Sequence, residues 1–338
     1  LNWNELRQKA KVQLEGFCRV CPICDGRACA GEVPGMGGTG TGSSFRANLQ
    51  SLEKYRVNLR TLHDASDPDT GMEIFGRRIS FPILAAPLTG ASYNMGGKMT
   101  EREFIGAVIK GSRLAGTVGM CGDGGDPGFF DSGLEAIAEE EGCGIAVIKP
   151  RDNKAIMERA ARAEKAGALA VGVDVDGAGL VIMASHGQPV GPKSQAQLSD
   201  LVSSVGLPFI VKGVMTGDEA VIAARAGAAA IVVSNHGGRI LDHTPGAADV
   251  LPRIAAEVKG SVVILADGGV RSGLDVLKLL ALGADAVLVG RPVVMGAFGA
   301  GPEGVKLVLQ KMASELKQAM ILTGCSKIQD ISSRVICK

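Results

Sequence analysis

Eight short apolar runs, spaced along the chain with helical stretches between them, constrain the fold more than any other feature. They cover residues 83–87, 116–120, 144–148, 170–174, 208–212, 230–234, 262–266 and 286–290. Each reads as a strand apolar on both faces, which only a parallel sheet covered by helices can bury. Amphipathic stretches such as 152–167, 216–227 and 272–283 lie between them and close on glycines suited to helix C-termini. Eight βα units in about 250 residues predict an α/β protein with a (β/α)8 TIM barrel. A doubly wound open sheet is the alternative.

Other features narrow the class further. Apolar residues make up 46% of 338, enough for a large core, and the net charge is +1 with no long run of one sign. That balance does not suggest a nucleic-acid or membrane surface, and aromatics at 4% offer no stacking platform for bases. No apolar stretch reaches the ~18 residues of a membrane span, and Leu1–Glu5 opens no secretory pattern. A cytoplasmic location is the expectation. Residues 1–50 form an N-terminal extension carrying a cysteine cluster, and 51–338 form the barrel. The glycine run 34–42 follows no strand and so is a poor dinucleotide fingerprint; it reads as a loop across one face of the barrel.

Barrel enzymes build their sites from loops at the carboxyl ends of the strands. Reading those ends in order gives Asp174, Lys212, then Ser234-Asn235-His236-Gly237-Gly238-Arg239, then Asp267-Gly268-Gly269-Val270-Arg271, then Gly290-Arg291. His236 can take a proton near neutral pH, with Asp174 as its supporting carboxylate. Arg239 can hold a carboxylate through two parallel hydrogen bonds. The glycines and two arginines after the seventh and eighth strands read as a phosphate site. Lys212 ends an otherwise apolar strand, and so reads as a buried ion pair, a fixed positive charge beside an electron-accepting ring, or a Schiff-base amine. Tyr93 either lines the pocket or packs, and His186 and His243 read as solvated loop residues.

These motifs together resemble the FMN-dependent α-hydroxy-acid dehydrogenases and oxidases, the glycolate and lactate oxidase group. The similarity covers about residues 43 to 335 and takes in Asn48, Leu59-Arg60-x-Leu62-x-Asp64 and Ala86-Pro87. The resemblance implies FMN across the barrel mouth and oxidation of a 2-hydroxy acid or related small carboxylate. By motif, Lys212 sits near the flavin N1/O2 edge; Ala86, Pro87, Ser234 and Asp267 join the flavin site; and Gly268, Gly269, Arg271, Gly290 and Arg291 hold the FMN phosphate. His236 is then the base, Asp174 its support and Arg239 the carboxylate clamp. Homo-oligomers, tetramers or octamers, are also implied, and the electron acceptor is left unspecified. Where the family carries two tyrosines and a second arginine, this chain reads Gly35-Met36-Gly37, Lys149-Pro150 and 175–180, so Lys149 is expected to replace the missing charge or the substrate to be differently anchored. A type 2 isopentenyl-diphosphate isomerase, or a flavin- or metal-binding sensor without catalysis, are the alternative functions.

Cys18, Cys21, Cys24 and Cys29 crowd into twelve residues, while Cys121, Cys143, Cys325 and Cys337 are scattered. The cluster's spacing resembles a ferredoxin run with one extra residue before the last cysteine. It makes these four candidates for an iron–sulfur cluster or zinc, against the alternative of four reduced thiols.

Overall fold

The computed structural model describes residues 1–30, 32 and 36–338; Pro34 and Gly35 of the glycine run lie outside the described residues. All eight expected strands form: β1 (Ile83–Leu88), β2 (Gly119–Cys121), β3 (Gly144–Ile148), β4 (Ala170–Asp174), β5 (Phe209–Val214), β6 (Ala230–Val233), β7 (Val263–Ala266) and β8 (Ala286–Val289). They pair in parallel and in sequence, and β8 closes onto β1, so the barrel is the fold and the open sheet is not. Their residues are buried on both faces because Leu84, Met120, Ile145, Ile210, Val232 and Leu288 fill the barrel interior while alternate residues pack outward on helices.

The second strand starts later than its apolar run. Residue 116 is not extended: Gly116, at φ +89°, caps the preceding helix. A positive φ there costs a glycine nothing and would strain any other residue.

Among the described residues the longer helical stretches are α1 (Trp3–Gln13), α2 (Ser43–Glu53), α3 (Glu101–Ala115), α4 (Pro127–Glu139), α5 (Asn153–Lys165), α6 (Gln195–Ser204), α7 (Gly217–Arg225), α8 (Ala247–Val258), α9 (Gly273–Ala281) and α10 (Arg291–Ile321), the last broken at Ala300 and Gly301. Several begin as the sequence dictates. Asp152 accepts from Ala155 N at the start of α5, and Ser272 forms a capping box with Asp275 at the start of α9. The boundary expected at residue 50 falls inside α2, which lies over the barrel mouth: Asn48 Nδ2 donates to Asn235 Oδ1 at 2.7 Å, and Asn48 Oδ1 accepts from Ala247 N at 3.0 Å. Leu6 and Leu14, from α1 and its end, join the main core.

The described part of the glycine run does cross the carboxyl face of the barrel. Thr39 N donates to Gly238 O at 2.8 Å, and Thr41 donates to Asp242 Oδ2 through N at 2.6 Å and Oγ1 at 2.8 Å. No helix among the described residues is long and apolar enough to cross a membrane.

Candidate active site

The strand ends deliver their polar residues to one cavity at the carboxyl mouth. Ala86 and Pro87 from β1, Lys212 from β5, His236 and Arg239 after β6, Asp267, Gly268, Gly269 and Arg271 after β7, and Gly290 and Arg291 after β8 all line it. Ser234 does not. It is fully buried beneath the loop, where its Oγ accepts from His236 N at 3.0 Å.

His236 adopts a positive φ of +58°, a conformation few non-glycine residues take and one that recurs at functional sites. Its Nδ1 lies 3.1 Å from Asp176 Oδ2 but 4.0 Å from Asp174 Oδ1. The carboxylate that supports the imidazole is therefore Asp176, which corrects the expectation for Asp174. The reason is in the backbone: the chain turns into a short 3-10 segment, Val175–Gly179, directly after β4. That turn swings the second aspartate of Asp174-Val175-Asp176 over the mouth, while the first stays in the strand.

Asp174 has a different task. The β4–β5 register sets it beside Lys212, with Nζ 2.9 Å from Oδ1, and Lys149 Nζ reaches Oδ2 at 2.8 Å. Burial alone would raise this carboxyl's pKa, yet the two ammonium groups hold it well below the usual range. Lys212 is held charged in turn: burial opposes its charge, and Asp174, Asp176 and Asp267 outweigh burial. Lys149 thus ends in a buried ion pair and does not stand in for a missing substrate arginine. Arg151 is spent likewise, its Nη1 2.7 Å from the fully buried Asp123. Burial, and then Lys212, push the His236 pKa below its ordinary value, with Asp176 and Asp174 pulling the other way. The imidazole is therefore neutral at neutral pH.

The phosphate end shows an unbalanced concentration of charge. Burial, then Arg271 and Arg239, pull the Arg291 pKa down to about 9. Arg271 Nη2 and Asp267 Oδ1 are buried without hydrogen-bond partners. Phe45 supports both guanidinium groups from below, 4.1 Å from Arg291 and 5.6 Å from Arg271. Gly268 (φ +96°) lets the backbone lie against α2: a Cβ there would stand 2.5 Å from Asn48 Oδ1. Crowded arginines, an orphaned donor and a glycine cradle fit a phosphate dianion, which would satisfy the donor and relieve the repulsion.

The family model described as FMN-dependent dehydrogenase matches residues 35–183 and 181–338. The chain belongs to that family. Among its relatives are 4-hydroxymandelate oxidase of Amycolatopsis orientalis, 33% identical over 89% of this chain and 94% of the relative. Glycolate oxidase of Spinacia oleracea is 33% identical over 84% and 85%, and L-lactate oxidase of Lactobacillus jensenii 32% over 85% and 76%. A crystal structure of a mandelate oxidase variant with 2-hydroxy-phenylacetamide superposes with a TM-score of 0.80 at 33% identity, covering 99% of this chain and 97% of the other. The family is FMN-dependent, and the glycine–arginine cradle has the chemistry to fit that cofactor's phosphate.

Sequence reasoning missed Asp176, Phe45 and Met36. The Asp-x-Asp spacing after the fourth strand was the available signal for Asp176. Met36 lines the cavity and its carbonyl accepts from Arg291 Nε at 2.8 Å, a contact no local pattern announces. Tyr93 is half exposed and packs edge-on against Phe129 at 5.5 Å, with His186 at 6.4 Å, outside the cavity lining.

Proposed function

We propose that this chain oxidises a small 2-hydroxy acid to the corresponding 2-keto acid, with FMN as the electron acceptor. The observation that carries the reading is the meeting, in one cavity, of a neutral histidine oriented by a carboxylate, an arginine three residues on, a buried charged lysine and a phosphate cradle. The named activities of the relatives, on glycolate, lactate and 4-hydroxymandelate, support it.

Arg271, Arg291 and the backbone of Gly268, Gly269 and Gly290 would hold the phosphate, and Ala86 and Pro87 would wall the ring. When bound, FMN supplies a two-electron oxidant. Arg239 clamps the substrate carboxylate and sets the hydroxyl-bearing carbon toward His236. With Nδ1 engaged by Asp176, the Nε2 of His236 accepts the substrate proton, and Asp176 stabilises the imidazolium that forms. Lys212 places a fixed positive charge at the cavity floor, where negative charge develops during oxidation. The Asp174 pair keeps that lysine charged and in place.

Anaerobic addition of a 2-hydroxy acid to the FMN-loaded protein should bleach the flavin band. His236→Ala should retain FMN and slow bleaching by about 100-fold or more. Unchanged bleaching in that variant would remove His236 from the chemistry.

A further inference from the structure

The four cysteines of the N-terminal segment take no part in the site above, and they are not scattered. Cys18, Cys21, Cys24 and Cys29 are all free, all partly buried, and all line a second cavity of about 440 Å³. Arg271 and Arg291, with Met36 and Val294, line both this cavity and the cavity at the barrel mouth.

The segment is tied to the barrel at this point. Arg271 Nε donates to Cys24 O at 3.3 Å, and Gly26 packs so closely on the Phe45 ring that it has no room for a Cβ. Within the segment, Val20 takes a positive φ of +47°. A β-branched residue in that conformation is a true outlier, and the turn aims Val20 N–H at Cys18 Sγ, 3.4 Å away. Amide hydrogen bonds to ligand sulfur are one of the means by which a protein tunes a bound cluster.

The spacing of the sulfurs favours a cluster over a single ion. A single zinc with bonds of about 2.3 Å requires tetrahedral sulfurs roughly 3.8 Å apart. No three of these four come within 4.8 Å of one another. An iron–sulfur cluster has several irons, so no one iron takes more than two of the four thiolates and the sulfurs do not all crowd around one centre. The lining also suits the net negative charge of a four-thiolate cluster, because Arg7, Arg271 and Arg291 face the same space.

We propose that Cys18, Cys21, Cys24 and Cys29 bind an iron–sulfur cluster beside the phosphate end of the flavin site. The proposal is independent of which substrate the mouth accepts. The test is elemental: the full chain is produced and purified without oxygen, and iron, acid-labile sulfide, zinc and FMN are measured per chain. The expected result is about two to four irons with matching sulfide, and an electron paramagnetic resonance signal after reduction by dithionite. Cys21→Ser and Cys24→Ser should lose iron and sulfide while keeping FMN; Cys337→Ser, at the far end of the chain, should keep all three. Zinc in place of iron, no metal with four titratable thiols, or full iron in both cluster variants would overturn the proposal. Failure of flavin bleaching alone would leave these counts unchanged, so the two proposals fail separately.

Discussion

Two aspartates two residues apart do opposite work, and substitution separates them. Asp176 orients His236, so Asp176→Asn should bind FMN normally but slow flavin reduction by about tenfold or more. Because Asp176 raises the His236 pKa against burial, its loss should also move the acidic limb of the rate profile to lower pH. That profile distinguishes orientation from mere packing. Asp174→Asn instead leaves Lys149 and Lys212 facing each other in the interior. Removing one member of a buried ion pair costs about 3–5 kcal/mol, so this variant should lose stability in denaturant unfolding before any question of rate arises. The sequence brought His236, Arg239 and Lys212 to the barrel mouth, where they line one cavity, because each terminates or directly follows an apolar strand. It misassigned the partner of His236 because a strand end predicts position and says nothing of how the next turn swings.

At the scale of elements, the proposed phosphate cradle depends on α2 as much as on the loops after β7 and β8. Asn48 holds the β6 loop and the start of α8 at once. Asn48→Ala should strand buried polar groups at both, costing about 1–3 kcal/mol per group, and should loosen FMN with the fold otherwise intact by circular dichroism. Arg291→Lys keeps the charge but loses the planar fork. Loss of a charge-assisted hydrogen bond worth about 1.5–3 kcal/mol should weaken FMN binding roughly 10- to 100-fold in a fluorescence titration. The barrel strands were legible from sequence because burial on both faces leaves an uninterrupted apolar run. The 1–50 segment was legible only in part: its glycine run read as a loop across the barrel, but part of its hold there runs through backbone contacts such as Thr39 N to Gly238 O. These have no signature in residue type.

For the whole molecule, the buried charges at the mouth set how stability responds to acid. His236 has a folded pKa below its ordinary value near 6.5. The unfolded chain therefore binds the extra proton first as pH falls, and the native state loses stability from about pH 6.5 downward. Asp174 adds a second loss at much lower pH: its folded pKa is depressed, so its contribution is full above about pH 4 and disappears as pH falls through the folded value. Melting temperature followed from pH 8 to pH 3 should fall in two stages, and His236→Ala should remove the first. The central claim is that the barrel mouth is a flavin site for 2-hydroxy acids, and anaerobic single-turnover spectroscopy of the FMN-loaded protein tests it most directly. Mixing with a panel of glycolate, lactate and mandelate should bleach the flavin with at least one of them and yield an equimolar 2-keto acid. A protein that binds FMN in equimolar amount yet stays fully oxidised with every 2-hydroxy acid would contradict the account.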